Sequence, residues 1–224
     1  MNVRDIGLVP YRQAWQLQEE LRTRRIAGEI GDQFLLVEHP PVYTLGKRDC
    51  DKDLLVPREM VAREGIEVVK TNRGGRVTYH GPGQMAGYFI CSLDEQGISV
   101  PEFVRRVEEL VIQVLADVGI DGERDPEYPG VWVGRDKIAA IGLNFSHRVS
   151  QHGFALNVSP NLDHYRFIIP CGITDRGVTS MEKILGRVVP MAMVKERVMA
   201  HVHKLFGLVR CPVGRGEGET AVRI

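Results

Sequence analysis

RGGRVTYHGPGQ, residues Arg73 to Gln84, holds four glycines, a proline, two arginines and a histidine, and its flanks decide the fold. Gly81, Gly83 and Ala86 satisfy the GxGxxG/A spacing of a dinucleotide cradle. Such a cradle needs a strand before it and a helix opening within it, so that phosphates meet the helix N-terminus. Here IEVVKT (66–71) precedes and GYFICSL (87–93) follows, both strand-like in their β-branched and aromatic content. Pro82 sits in the tight turn. A P-loop would end in Gly-Lys-Ser/Thr, and this stretch ends in Gly-Gln. Strand-to-strand context excludes both nucleotide cradles.

Working outward, a helix is expected over 11–27, with Ala14, Leu17 and Leu21 on one face. FLLVEH (34–39) reads as a buried strand stopped by Pro40 and Pro41, and VYTLG (42–46) as its successor. PREMVAREG (57–65) suits a short helix opened by Pro57 and closed by Gly65. The clearest helix covers about 100–118, where Ser99 and Glu102 form a capping box and Phe103, Val107, Leu110, Val111, Val114 and Val118 recur at helical spacing. GVWVG (130–134) and KIAAIGLNF (137–145) form a hairpin around Gly-Arg-Asp, and GFALNVS (153–159) adds a strand. A last helix runs from Pro190 to about Phe206, on Val194, Val198, Val202 and Leu205. Strands cluster around hairpin turns rather than alternating with helices, so the expected class is α+β with a mainly antiparallel or mixed sheet. The expected organisation is one domain over 1–207 and a mobile tail over 208–224.

Composition narrows function. With 43% hydrophobic and 26% charged residues in 224, the chain can bury a full core. The formal net charge of zero gives no global field toward nucleic acid or membrane. MNVRDIGLVPYRQ lacks the apolar core of a signal peptide and no apolar run reaches bilayer length, so the expected compartment is the cytoplasm. Cysteines 50, 91, 171 and 211 form no CxxC pair and are expected as free thiols. His201 and His203, two apart on a helix, point away from each other and make a poor metal pair.

Three constellations carry chemistry. In the opening stretch, Arg73 and Arg76 can bind carboxylate, phosphate or carbonyl, and Thr78, Tyr79, His80 and Gln84 add hydrogen-bonding groups. Gly74, Gly75, Gly81 and Gly83 permit close backbone approach, although an exposed turn between strands has the same composition. Cys171, between Pro170 and Gly172 after an apolar strand-like run, occupies a corner of the kind that displays nucleophiles; a structural cysteine in a turn is the other reading. Lys137 opens an apolar strand, where a lysine commonly reaches solvent; beside a thiol its ammonium favours thiolate, and its neutral amine serves as a base.

EHPPVYTLG (38–46), RGGRVTYHGPGQ with GYFI, KIAAIG, HGFALNV and PCGITDRGVTSM, in that order, resemble the lipoyl(octanoyl) transferases, over about residues 34–182. The resemblance implies the α+β fold shared with biotin and lipoate protein ligases: a large mixed sheet flanked by helices, with a smaller subdomain. It implies transfer of an octanoyl group from octanoyl-acyl carrier protein to a lysine ε-amine. The acceptors are lipoyl domains of 2-oxoacid dehydrogenase complexes and the glycine cleavage H protein, without cofactor or metal. By this match Cys171 is the acyl-thioester nucleophile, and Lys137 lowers its pKa and shuttles protons. The substrate is held by Arg73, Gly74, Gly75, Arg76, Val77, Thr78, Tyr79 and His80, together with Ala140, Ile141, Gly142, Gly153, Phe154 and Ala155. Lys137 or His80 would deprotonate the acceptor, and N–H groups near Gly172 or Gly142 would hold the oxyanion. Arg22, Arg24 and Arg25 are candidate guides for acidic partners. The competing reading is an ATP-dependent lipoate or biotin protein ligase of the same fold, against which PCGI (170–173) argues, since an adenylating enzyme needs no cysteine.

Overall fold

The computed structural model describes residues 1–48 and 51–207. Among them the elements run β1 (Asn2–Leu8), α1 (Tyr11–Ile26), β2 (Gln33–Glu38), β3 (Val42–Leu45), α2 (Arg58–Arg63), β4 (Glu67–Lys70), β5 (Thr78–His80) and β6 (Gln84–Ile90). They continue with α3 (Leu93–Gln96), α4 (Val100–Ala116), β7 (Glu123–Arg124), β8 (Gly130–Val133), β9 (Asp136–Ser146), β10 (Val149–Asn157), β11 (Gly177–Val178), α5 (Met181–Leu185) and α6 (Met191–Phe206). Short 3-10 turns lie at Asp51–Asp53, Leu162–Phe167 and Pro170–Gly172. The segment 208–224, expected as a tail, and Cys50 and Cys211 lie outside the described residues.

The large sheet has the order β1-β2-β6-β10-β9-β8-β7, with β11 added beside β9. β1 runs parallel to β2 and β11 parallel to β9, while the other pairs are antiparallel, so the sheet is mixed. The run FLLV is buried on both faces because helices cover both. Phe34 and Leu36 join Phe89, Phe154 and Leu156 in the core under α4 and α6. Leu35 and Val37 turn the other way, toward Tyr11, Ala14 and Leu21 of α1. Ser99 caps α4, its hydroxyl accepting from the Glu102 N–H at 3.3 Å. The buried stripe Phe103, Val107, Leu110, Val111 and Val114 then meets Val194, Val198, Val202 and Phe206 of α6. Each fully buried side chain of this kind contributes about 1.5–3 kcal/mol. Gly87 leaves room for two rings: an added Cβ would stand 2.4 Å from Phe154 Cε1 and 2.8 Å from Phe34 Cζ.

β4, β3 and β5 form a second sheet over a separate core of Tyr43, Leu45, Val61, Ile66, Val77, Tyr79, Tyr165, Phe167 and Ile168. The opening stretch is thus not one loop: Thr78–His80 pairs with β3. The strand-like run before Cys171 is not a strand either, and only Ile168 bridges to Leu54. β1 escaped the sequence reading because its residues are exposed or half-buried at a sheet edge and show no apolar alternation. Among the described residues no helix is long and apolar enough to cross a membrane.

Candidate active site

Cys171 stands in the tight turn Pro170–Gly172, with φ +57° in a conformation that favours glycine. Its N–H donates to the Val77 carbonyl at 3.1 Å, and the Gly172 N–H donates to Ile169 O at 3.0 Å. The Gly172 N–H is therefore spent within the turn rather than offered to an oxyanion. Gly172 has φ +71°, and an added Cβ would lie 2.7 Å from Arg76 Cδ, so a side chain there would displace the arginine.

Lys137 reaches this turn through a register shift. Val131 pairs with Ala139 but Trp132 with Lys137, which leaves Ile138 as an extra residue in β9. Ile138 and Ala139 both face the core under α4, and the bulge turns Lys137 to the opposite side. β11 holds the start of β9, with Val178 paired to Lys137. Lys137 Nζ lies 3.5 Å from Cys171 Sγ and donates to Pro129 O at 3.2 Å. It also sits 4.7 Å from the centroid of the Trp132 ring. The side chain is 7% exposed, so this lysine does not reach solvent as strand-end lysines commonly do. Its aliphatic stem passes Gly130, whose added Cβ would stand 3.3 Å from Lys137 Cε.

A cavity opens beside Cys171. Of the residues expected to hold substrate, Arg73, Gly75, Arg76, Thr78, His80, Ala140, Ile141, Gly142, Gly153, Phe154 and Ala155 line it. Gly74 lines an outer groove that also reaches Lys137 and Cys171. Val77 and Tyr79 do not face the cavity: β-strand alternation sends them into the small-sheet core while Thr78 and His80 face inward. The two arginines brace the walls. Arg73 Nε donates to Thr44 Oγ1 at 3.0 Å and its Nη2 to Thr44 O at 2.5 Å. Arg76 grips the buried carboxylate of Asp53 through two bonds of 2.7 and 2.6 Å.

Sequence reasoning missed three lining residues, Tyr11, Tyr88 and His152. Tyr11 had looked only like the start of an amphipathic helix, and Tyr88 like one more strand aromatic. His152 has φ +61° inside β10, a backbone irregularity that residue type does not announce. Burial pushes the His152 pKa down to about 3 and that of His39, behind the cavity, to about 4. Burial, then His39 and Arg73, hold His80 well below the usual imidazole value. His80 is therefore a weak base at neutral pH, poorly matched to the proton of an incoming lysine. Burial raises Tyr11 to about 12. The histidine and tyrosine rings of the cavity are thus neutral, and the charged groups of its lining are the guanidiniums of Arg73 and Arg76.

Of the three arginines expected as docking guides, Arg25 is 4% exposed and bound to Asp32 and Glu95. It belongs to the fold, where the exposed acidic patch of a partner cannot reach it. Arg22 pairs with Glu19 and Arg24 with Glu29. Among the described residues no group of three His, Cys, Asp or Glu side chains could hold a metal ion.

Residues 10–203 match the lipoyl protein ligase A/B catalytic domain. The chain superposes on a bipartite lipoate protein ligase of Thermoplasma acidophilum with TM-score 0.70 and 16% identity, over 92% of this chain and 84% of that one. A biotin protein ligase of Aquifex aeolicus gives 0.56 at 16% identity, over 91% and 69%. The fold is that of the lipoate and biotin protein ligases. Sequence narrows it further. The octanoyltransferase of Alkaliphilus metalliredigens is 46% identical over 207 residues, spanning 92% of this chain and 95% of that one. That of Chloroflexus aggregans is 46% identical over 212 residues, spanning 93% and 96%. The chain belongs to the octanoyltransferase family within the lipoyl protein ligase A/B catalytic domains.

Proposed function

We propose that the protein is an octanoyltransferase that moves an octanoyl group from octanoyl-acyl carrier protein to a lysine ε-amine through a thioester on Cys171. The acceptors are lipoyl domains of 2-oxoacid dehydrogenase complexes and the glycine cleavage H protein. The observation that carries the reading is Lys137 Nζ at 3.5 Å from Cys171 Sγ, at the mouth of a buried cavity. Close relatives spanning nine-tenths of the chain favour this over an ATP-dependent ligase, whose resemblance is confined to the fold.

In the first half-reaction the Cys171 thiolate attacks the donor thioester carbonyl. The carbon–sulfur bond to the carrier breaks, and the departing thiolate takes a proton from the Lys137 ammonium. In the second, an acceptor lysine that has lost one proton to solvent attacks the acyl-cysteine as a neutral amine. Its second proton passes to the now neutral Lys137, and Cys171 leaves as thiolate, restoring the starting pair. Exchange of thioesters is nearly isoenergetic, and amide formation makes the second half run downhill. Burying the acyl chain contributes about 0.8 kcal/mol per methylene to donor binding.

Incubation with octanoyl-acyl carrier protein followed by intact-mass measurement tests this. One added octanoyl group is expected, labile to hydroxylamine and absent in Cys171→Ala. Transfer by Cys171→Ala at the parental rate, or ATP-dependent pyrophosphate release from free octanoate, overturns it.

A further inference from the structure

Besides Phe154, four rings line the cavity, those of Tyr11, His80, Tyr88 and His152, and they pack against one another: Tyr11 on His80, and Tyr88 edge-on to His152, whose Nδ1 meets the Tyr11 hydroxyl. Their exposures are 2%, 5%, 3% and 1%, whereas Cys171 and Arg76 are half-buried, so the rings belong to the buried part of the lining and the thiol to its open side. Strand register gives the path between. Gly142 pairs with Gly153 and Gly153 with Tyr88; Ala140 pairs with Ala155 and Ala155 with Ala86. The first row crosses β9 and β10 on glycines and meets Tyr88 on β6, and the second crosses all three strands on alanines. Two inter-strand steps make that path roughly 10 Å long.

The four rings look polar, yet they offer the cavity no unpaired polar atom. Gln84 Nε2 donates to Tyr79 O at 3.0 Å and to Asn157 Oδ1 at 2.9 Å, so its Oε1 accepts from His80 Nδ1 at 2.8 Å. His80 Nε2 is then an acceptor, and the Thr44 hydroxyl stands 3.3 Å from it. His39 Nδ1 donates to Val9 O at 2.6 Å, which leaves its Nε2 to accept from the Tyr88 hydroxyl at 2.6 Å. Asn72 Nδ2 donates to Glu19 and Gln151, so Asn72 Oδ1 accepts from His152 Nε2 at 2.6 Å. His152 Nδ1 then accepts from the Tyr11 hydroxyl at 3.4 Å. Tyr11 also stacks on His80, with centroids 5.6 Å apart and planes at 20°. Every partner lies outside the cavity lining or within the wall itself, so ring faces and edges are what a ligand meets. An apolar chain end can rest there without stripping water from an unsatisfied group.

We propose that Tyr11, His80, Tyr88 and His152 form a closed end wall that sets the length of acyl chain the enzyme accepts. This rests on the acyl-transfer reading above. The terminal methyl of the chain abuts the rings. A longer chain must displace a ring whose polar atoms are all engaged, which breaks a buried hydrogen bond as well as costing packing. The left-handed backbone of His152 supports a specific role, since a strand has no need of a non-glycine residue at φ +61° unless its ring must be re-aimed.

The test is the rate of Cys171 thioester formation, read by intact mass, with octanoyl-, decanoyl- and dodecanoyl-acyl carrier protein. Each surplus methylene against a firm wall costs roughly tenfold or more, so the parent is expected to prefer octanoyl by at least roughly a hundredfold over decanoyl and roughly ten-thousandfold over dodecanoyl. His152→Gly suits the positive φ and removes a ring; Tyr11→Val removes another at the helix end. In each, the octanoyl-to-dodecanoyl ratio is expected to fall at least roughly tenfold. Because the readout is a ratio, a general loss of activity does not mimic it. Unchanged ratios in both variants overturn the proposal, as does a parent that loads dodecanoyl as fast as octanoyl, or natively folded variants that load no chain. A parent that takes no octanoyl group on Cys171 refutes the acyl-transfer reading instead.

Discussion

Lys137→Met keeps the length of the side chain while removing its charge, and so isolates what the ammonium does for the thiol. Two unit charges 3.5 Å apart, the Lys137 Nζ to Cys171 Sγ distance, attract by about 1.2 kcal/mol in bulk water and about 4.7 kcal/mol at an effective dielectric of ~20. Lys137 is 7% exposed but Cys171 is half-buried at the cavity mouth, which places the pair between these limits, at about 2–3 kcal/mol. Loss of that attraction is expected to slow attack by the Cys171 sulfur roughly 30- to 160-fold, the factor that 2–3 kcal/mol represents. The assay is pseudo-first-order alkylation by iodoacetamide at neutral pH. Cys91 is fully buried and does not compete, and Cys50 and Cys211 are replaced by serine in both proteins. Alkylation in Lys137→Met within about threefold of the parent would refute the electrostatic argument. Lys137→Arg separates the two roles given to this residue. A guanidinium keeps the charge but cannot give up its proton, so alkylation is expected to stay within about tenfold of the parent while acyl transfer to lysine is lost.

Three more outcomes follow from the same geometry. Trp132→Leu removes the aromatic seat of the ammonium; it should cost about 1 kcal/mol of that interaction and slow Cys171 alkylation roughly fivefold, whereas Trp132→Phe retains most of it. Cys171→Gly and Cys171→Ala both abolish thioester formation, but glycine relieves φ +57°, so urea denaturation should find Cys171→Gly more stable than Cys171→Ala by about 1 kcal/mol. The buried histidines predict acid lability: His39 at about 4 and His152 at about 3 stay neutral where the unfolded chain, near 6.5, takes up protons. Their contribution is fully present above about pH 6.5 and is lost as pH falls toward 4 and then 3. With His80 shifted the same way, stability should fall by up to about 4 kcal/mol per pH unit near pH 5; a flat urea midpoint between pH 7 and 5 contradicts this.

What the sequence made legible, and what it hid, divides along one physical line. Amphipathic helices and paired strands announce themselves because the same residues that set their periodicity also make their contacts. α4 has its Ser99 cap and its valine stripe, and both stand in the structure where periodicity put them. Cys171 and Lys137 stood out by local context, between proline and glycine and at the head of an apolar strand. Their meeting depends on the extra residue Ile138, the β11 pairing and the turn at Pro170, none of which has a composition of its own. The substrate stretch was legible as a block but not by residue: a three-residue strand within it alternates, which turns Val77 and Tyr79 away from the cavity. The end wall was illegible for a stronger reason. Tyr11, Tyr88 and His152 lie on α1, β6 and β10, and each alone is an ordinary core aromatic or a half of a hydrogen bond. Only their shared partners make them a surface, and shared partners are a property of the fold. A site assembled from turns, bulges and one strained histidine is thus written in backbone irregularities, and periodicity, which reads regular structure, passes over them.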